Sequence, residues 1–304
     1  MEYVLETEGL GKRYGHFKAL DDVTMHVPKG AIYGFVGKNG AGKTTLIRLV
    51  CGLQRPTGGS YTLYGSRCGE GDMAAARRRM GAVVETPSIY MDMTARENLV
   101  QQYQILGRPS SEGLSELLDL VGLADTGSRK VKHFSLGMRQ RLGIAVALAG
   151  DPDFLVLDEP ANGLDPQGIV EIRELILRLN RERRITVLMS SHILDELSRL
   201  ATHYGFLDHG HMVKEISAKE LEDACRKRIR VEVSDTKVLA RVLDSLGLSY
   251  TVWTDTQADI YGSIGVTELV LRLYEEQCEV KSIQERDESL ESYYIRLIGG
   301  ERDA

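Results

Sequence analysis

The segment Gly37-Lys38-Asn39-Gly40-Ala41-Gly42-Lys43-Thr44-Thr45 constrains this chain's fold more than any other stretch. It fits the phosphate-binding pattern G-x-x-x-x-G-K-[ST], whose glycines let the backbone curl until successive N–H groups point inward. Such a loop works between a strand and a helix, and both are legible here. Ala31-Ile32-Tyr33-Gly34-Phe35-Val36 reads as a buried strand, and Thr44 to Val50 as a helix whose N-terminus adds unpaired N–H groups. A glycine-rich loop with a stray lysine would not need that context. The pattern predicts a site for a nucleoside triphosphate. Gly37, Asn39, Gly40, Ala41, Gly42 and Thr45 would line the phosphates, and Lys43 would reach the β- and γ-phosphates. The Thr44 hydroxyl would ligate Mg²⁺.

The rest of the chain supplies the alternation that a P-loop strand needs. Tyr3–Glu8 and Val23–Val27 read as antiparallel strands ahead of it. From Ala74 to Gly150 the spacing is mostly helical, with helices expected from Ala95 to Leu106, around Leu114–Val121, and from Gly137 to Ala149. Strand and helix then alternate again: Phe154–Leu157, Gly168–Asn180, Ile185–Met189 and Leu194–Leu200. Parallel strands with helical crossovers imply a doubly wound sheet carrying a helical insertion. After about Ser217 the order becomes β-α-β-β-α-β. The strands begin at Ile229, Tyr250, Asp259 and Cys278, the helices at Thr236 and Val266, and a last helix covers Ser289–Ile298. That order suggests a small ferredoxin-like α+β domain. The expected division is residues 1–216, with a helical subdomain at about 86–150, and residues 217–304.

Asp153-Phe154-Leu155-Val156-Leu157-Asp158-Glu159-Pro160 is an apolar strand ending in two adjacent carboxylates. By itself that is a common strand-to-turn pattern. Downstream of a P-loop, Asp158 fits a support for Mg²⁺, and Glu159 fits a general base for a water in line with the γ-phosphate. The net charge of −6 leaves no basic surplus for nucleic acid. The basic runs Arg77-Arg78-Arg79, Arg181 with Arg183-Arg184, and Arg226-Lys227-Arg228 fit solvated helix faces and ends. Cys51, Cys68, Cys225 and Cys278 lie far apart without C-x-x-C spacing, which fits free thiols better than disulfides or zinc. Met1-Glu2-Tyr3-Val4 opens no signal peptide. The longest apolar run, Ile144–Ala149, is far short of the roughly 18 residues that span a bilayer. A cytoplasmic chain that meets a membrane through a partner is expected.

The ordered set of motifs resembles the nucleotide-binding subunits of ABC transporters over about residues 3–215. Phe134-Ser135-Leu136-Gly137-Met138 corresponds to that family's L-S-G-G-Q signature. Leu136 stands for a glycine and Met138 for the glutamine, while Ser135 and Gly137 match. The resemblance implies that Ser135 and Gly137 contact the γ-phosphate of a nucleotide held by the opposite subunit. It implies a D-loop at Asn162-Gly163-Leu164-Asp165, with Asp165 at the nucleotide, a switch histidine at His192, and an adenine-stacking aromatic at Tyr14. A core tyrosine and a structural histidine are the plainer readings of Tyr14 and His192 taken alone. The implied fold is an α/β, RecA-like P-loop NTPase core with an antiparallel β subdomain and a helical subdomain. The small C-terminal domain stands beside it.

One departure carries subfamily information. The family places glutamine after the third core strand, where Ala82-Val83-Val84 is followed here by Glu85. That glutamate, the segment through Leu99 and the end Glu288-Ser289-Leu290-Glu291-Ser292-Tyr293-Tyr294 resemble bacitracin- and lantibiotic-type peptide exporters. A carboxylate at Glu85 would ligate Mg²⁺ or a water more strongly than an amide. Ile89, Tyr90, Met91 and Met93 form an apolar loop, local packing or a partner surface. In the family, a membrane-spanning subunit docks here, at about Glu85–Asn98. One P-loop and one signature per chain imply a dimer with two shared ATP sites, a homodimer or alternatively a heterodimer. A ribosome- or DNA-directed soluble ATPase, and an importer ATPase with a regulatory C-terminal domain, are the rival readings. His209-Gly210-His211 reads as a hairpin turn rather than a metal site.

Overall fold

In the computed structural model, β1 (Tyr3–Tyr14) and β2 (Phe17–Pro28) form a long antiparallel hairpin. Away from the tip, their apolar positions are buried and most polar ones are not, as for a sheet covered on one side. Both strands run past the predicted Tyr3–Glu8 and Val23–Val27, because the hairpin tip carries polar and exposed residues that hide its pairing. The residues described are 2–108, 112–225, 228–261, 264–286 and 290–299. They fall into two compact units, Met1–Ala218 and Lys219–Ala304.

In the first unit, β3 (Ile32–Val36) is buried throughout and leads through the P-loop into α1 (Lys43–Val50). β4 (Gly58–Leu63) and the short β5 (Ser66–Arg67) join the hairpin in a sheet of order β2-β1-β4-β5. Neither was visible in the sequence, since β4 opens on two glycines and β5 is too short for a period. Next come α2 (Met73–Arg78) and β6 (Met80–Val83). The helical insertion follows, made of α3 (Ala95–Ile105), α4 (Leu114–Leu120) and α5 (Leu136–Leu148). The core resumes with β7 (Phe154–Asp158), α6 (Pro166–Arg183), β8 (Thr186–Ser191), α7 (Leu194–Ser198), β9 (His203–Asp208) and β10 (His211–Ser217). α8 (Ala218–Cys225) stands at the boundary between units.

The main sheet has the order β10-β9-β3-β8-β7-β6. All neighbours pair in parallel except β10 with β9. β3, β7 and β8 are fully buried, which is why they read as unbroken apolar runs. Because β3, β6, β7 and β8 are parallel, their C-terminal ends share one edge. That edge receives the P-loop, Glu85, Asp158–Glu159 and His192. One core joins Leu46, Ile47, Leu49 and Val50 of α1 to Leu5, Val23 and Leu63 of the first sheet and Phe154 and Leu188 of the second. The P-loop helix is thereby packed on both flanks.

Helix starts follow their caps. The Thr94 hydroxyl accepts from Glu97 N–H while Glu97 accepts from Thr94 N–H, a reciprocal box opening α3. The Asp165 carboxylate accepts from Gly168 N–H at 2.9 Å with Pro166 in the first turn, so α6 begins before the predicted Gly168.

The second unit comprises β11 (Arg228–Val233), α9 (Thr236–Ser245), β12 (Ser249–Val252), β13 (Gln257–Tyr261), α10 (Val266–Glu275), β14 (Val280–Arg286) and α11 (Leu290–Gly299). Its sheet has the order β12-β13-β11-β14, and every pair is antiparallel. Val231 and Ile260 pack with Leu239 and Leu243 of α9 and Leu269 and Leu273 of α10. Both helices therefore cover one face. Buried Asp259 receives two hydrogen bonds from Arg230, at 2.7 and 2.9 Å. Arg226 and Lys227 of the basic run, and Glu288 and Ser289 of the exporter-like end, lie outside the described residues.

Candidate functional site

The P-loop is shaped by two positions where no side chain fits. A Cβ on Gly37 would lie 2.7 Å from the Leu207 carbonyl oxygen. Gly42 stands at φ +113°, and a Cβ there would meet the Ala19 carbonyl oxygen at 2.6 Å. Ala41 is held from outside, its carbonyl accepting from Gly210 N–H at 2.9 Å in the β9–β10 turn. His209 and His211 therefore flank a turn that buttresses the loop, as the hairpin reading expects. Lys38, Asn39 and Gly40 are exposed, and Thr44 and Thr45 are half-buried in the first turn of α1.

Lys43 is 5% exposed. Its ammonium donates to the carbonyls of Gly37 at 2.5 Å and Lys38 at 3.2 Å, and lies 3.2 Å from Glu159 Oε1. Two hydrogen bonds and an ion pair therefore hold the ammonium. Glu159 Oε2 receives a 2.7 Å hydrogen bond from His192 Nδ1. A carboxylate only accepts, so the proton sits on Nδ1 of the imidazole. Lys43, Glu159 and His192 thus form one chain of contacts from α1 across β7 to the end of β8. Asp158 stands beside them, 2% exposed, with Oδ1 accepting from the Ser190 hydroxyl at 2.6 Å. Lys43, Asp158, Glu159 and His192 are gathered at one strand edge.

Other sequence-predicted residues stand apart. Ser135 caps α5, its hydroxyl accepting from Met138 N–H at 3.2 Å, and Gly137 lies in the first turn. Gly137 packs toward Leu164 and Gly168, so signature and D-loop present two capped helix N-termini together. Among the described residues, no hydrogen bond or ion pair joins Ser135, Gly137 or Asp165 to Lys43, Glu159 or His192. Glu85 adopts φ +61° and pairs with Arg48 of α1 rather than with Thr44 or Asp158. Tyr14 is 42% exposed at the end of β1. Its hydroxyl donates to Gln54 Oε1, and the Lys12 ammonium lies 5.1 Å from its ring centre.

Two residues escaped the sequence reading. Ser190 links the Asp158 carboxylate to the Glu159 backbone N–H through cross-strand register, because Asp158 lies opposite Ser190. Asn98, 3% exposed, anchors the apolar loop. Its amide accepts from Tyr90 N–H at 2.7 Å and donates to the carbonyls of Tyr90 at 3.1 Å and Thr94 at 2.9 Å. Tyr90 and Met91 are left 51% and 37% exposed on a loop fixed from behind. No sequence spacing announces either arrangement, although a polar residue inside an apolar strand, as in Met189-Ser190-Ser191, is a usable hint.

Comparison with known proteins agrees with this geometry. The sequence profile of the ABC transporter family matches residues 20–162. Across 99% of its length the chain is 39% identical to the bacitracin transport ATP-binding protein BcrA of Enterococcus faecalis, covering 98% of that protein. It is 40% identical to the lantibiotic transport ATP-binding protein SrtF of Streptococcus pyogenes, over 75% of this chain and 99% of that one. The dimeric structure of a bacterial ABC transporter cassette superposes with a TM-score of 0.63 at 25% identity, covering 70% of this chain and 98% of that one. This chain belongs to the ABC transporter family, with the α/β fold of its ATPase cassettes. It is an ATP-binding, ATP-hydrolysing subunit, and the relatives do not favour a ribosome- or DNA-directed role.

Proposed function

We propose that this chain powers export of a peptide antibiotic, lantibiotic or similar amphiphile through a separate membrane-spanning subunit. The observation that carries this reading is the near-full-length similarity to a bacitracin transport ATPase, which takes in both units. Glu85 in place of glutamine supports the same subfamily.

The chemistry follows from the strand edge. P-loop N–H groups and Lys43 bind the phosphates of ATP, and Tyr14 stacks on the adenine. Asp158 and the Thr44 hydroxyl are hard oxygen donors of the kind Mg²⁺ takes, and Glu85 is a third candidate. Bound Mg²⁺ would neutralise charge developing on the β- and γ-phosphates. Glu159 accepts the proton of the attacking water, and His192, holding Glu159 through Nδ1–H, orients that carboxylate. Hydrolysis then needs little covalent chemistry from the protein beyond position and charge.

Ser135, Gly137 and Asp165 complete the site of a second copy. Their separation from the Lys43 cluster supports this, as does the dimeric cassette of similar fold. Two copies in a homodimer make two sites, each with one chain's P-loop and its partner's signature. Closure on ATP and release on hydrolysis make this a switch set by the γ-phosphate. The Glu85–Asn98 segment, with Tyr90 and Met91 outward, receives the membrane subunit and carries that motion to it. Among the described residues no helix is long and apolar enough to cross a membrane. The similarity to transporter ATP-binding subunits supports a place at the cytoplasmic face, held there by its partner.

Residues 1–216 form the nucleotide-binding domain, with its helical subdomain at about 86–150, and 217–304 an accessory domain. The order β-α-β-β-α-β with an antiparallel β12-β13-β11-β14 sheet supports a ferredoxin-like fold for the latter. The functional test is resistance. The chain, expressed in a bacitracin-sensitive host together with its membrane-spanning subunit, is expected to raise the inhibitory bacitracin concentration. Glu159→Gln should abolish the gain. Unchanged sensitivity to bacitracin and to a panel of lantibiotics, with both subunits in the membrane, would refute the assignment of cargo.

A further inference from the structure

Ser190 is a polar residue in a strand whose every position is buried, following Val187, Leu188 and Met189. A hydroxyl in such a place is unfavourable unless its hydrogen bonds are made. Both are made, and to the two residues of the hydrolytic site. Ser190 Oγ donates to Asp158 Oδ1 at 2.6 Å and accepts from Glu159 N–H at 2.9 Å. A serine hydroxyl has one proton to give. Here it goes to Asp158, and the amide of Glu159 meets a lone pair.

The second bond falls where the backbone most needs it. Glu159 stands at φ +48°, a left-handed conformation that side-chain-bearing residues rarely adopt. Strain of this kind persists where the surroundings over-determine it. The Ser190 lone pair holds the Asp158–Glu159 peptide in that turn. The turn sends the Glu159 carboxylate toward Lys43 and His192 while Asp158 stays within the strand edge.

We propose that Ser190 is a positioning residue for ATP hydrolysis, fixing the Asp158 carboxylate by its proton and the strained Glu159 turn by its lone pair. The inference rests on the roles given above to Asp158 and Glu159. It predicts that removing the hydroxyl impairs the chemical step more than nucleotide binding. Among the described residues the Ser190 hydroxyl makes no hydrogen bond to the P-loop, whereas without it the base would lose its aim. Displacement of about 1 Å at a reacting group typically costs about 10²-fold in rate.

The test uses the full chain with Ser190→Ala, Ser190→Thr and Ser190→Val, and Glu159→Gln alongside. For each, kcat, KM, the dissociation constant for ATP and the melting temperature are measured. Ser190→Ala is expected to lose roughly 10- to 100-fold in kcat with ATP affinity within about threefold of wild type. Threonine and valine share a shape, so packing strain is common to both and their difference reports the hydroxyl alone. Ser190→Thr should exceed Ser190→Val by about tenfold or more in kcat, even if the alanine variant is unstable. Wild-type kcat in Ser190→Ala, equal kcat in the threonine and valine variants, or matched losses of kcat and ATP affinity would each overturn the proposal. Wild-type turnover in Glu159→Gln has a different meaning: the base assignment itself falls, and this inference with it.

Discussion

Replacing Glu159 with glutamine exchanges one carboxylate oxygen for an amide nitrogen at almost constant shape. In the structure, Oε1 faces the Lys43 ammonium at 3.2 Å and Oε2 accepts from His192 Nδ1 at 2.7 Å. Glutamine keeps one acceptor for these two donors. Either Lys43 loses its side-chain partner, or His192 must move its proton to Nε2. In neither arrangement does residue 159 offer a group that can take a proton from water. Losing a general base costs about 10²- to 10⁴-fold in kcat, equivalent to about 2.7–5.4 kcal/mol of barrier. Binding should behave differently. Lys43 keeps the Gly37 and Lys38 carbonyls and is relieved of a competing carboxylate. ATP affinity should therefore stay within about threefold of wild type or become tighter. Phosphate release measures the first effect and calorimetric ATP titration the second. Size-exclusion chromatography with ATP should show a lasting dimer. Turnover within about threefold of wild type would refute the role given to Glu159.

Other substitutions separate the parts of the account. Gly42→Ala forces a Cβ against Ala19 at φ +113°, so it should lose about 2–3 kcal/mol of stability, melt roughly 5–10 °C lower and bind ATP poorly; unchanged melting would contradict the geometry. Asn98→Ala leaves the Tyr90 N–H unpaired and takes one of two donors from each of the Tyr90 and Thr94 carbonyls. It should cost about 1–3 kcal/mol by chemical denaturation, leaving basal ATPase largely intact and lowering transport in the assembled complex. Glu85→Gln removes the charge paired with Arg48. It should spare ATP binding, alter hydrolysis modestly and weaken transport more, and equal coupling in the variant would leave the glutamate no special role.

The sequence disclosed those parts of the site that are contiguous along the chain. The P-loop was legible because its glycines, Lys43 and Thr44 are local neighbours, and β7 because a strand buried on both faces is an apolar run up to Asp158. Helix starts were less accurate: Asp165 and Ser135 act as caps, and α6 and α5 begin directly after them. What remained hidden depends on pairing between distant segments. Ser190 reaches Asp158 because β7 and β8 pair in one register, and Arg48 of α1 meets Glu85, 37 residues on, just past the end of β6. Asn98 is a similar case, since a helix residue holding a loop backbone from behind leaves no periodic trace. Glu85 joined the metal-ligand candidates through resemblance to exporters, whereas its partner in the fold is an arginine.

The central claim is that hydrolysis takes place at a site assembled from two copies of the chain. Ser135→Arg spoils the signature offered to a partner's nucleotide, and Lys43→Ala spoils the chain's own P-loop, so each variant alone should be inactive. In a mixed dimer both defects fall on one site, and the other keeps an intact Lys43 and an intact Ser135. An equimolar mixture should recover about one quarter of wild-type turnover, since about half the dimers are mixed and each keeps one of its two sites. The measurement is ATPase rate against mixing ratio, with mixed dimers verified by differential tagging. Recovery that peaks at equal proportions is the expected result. A mixture as inactive as its parents, with mixed dimers present, would contradict the shared site.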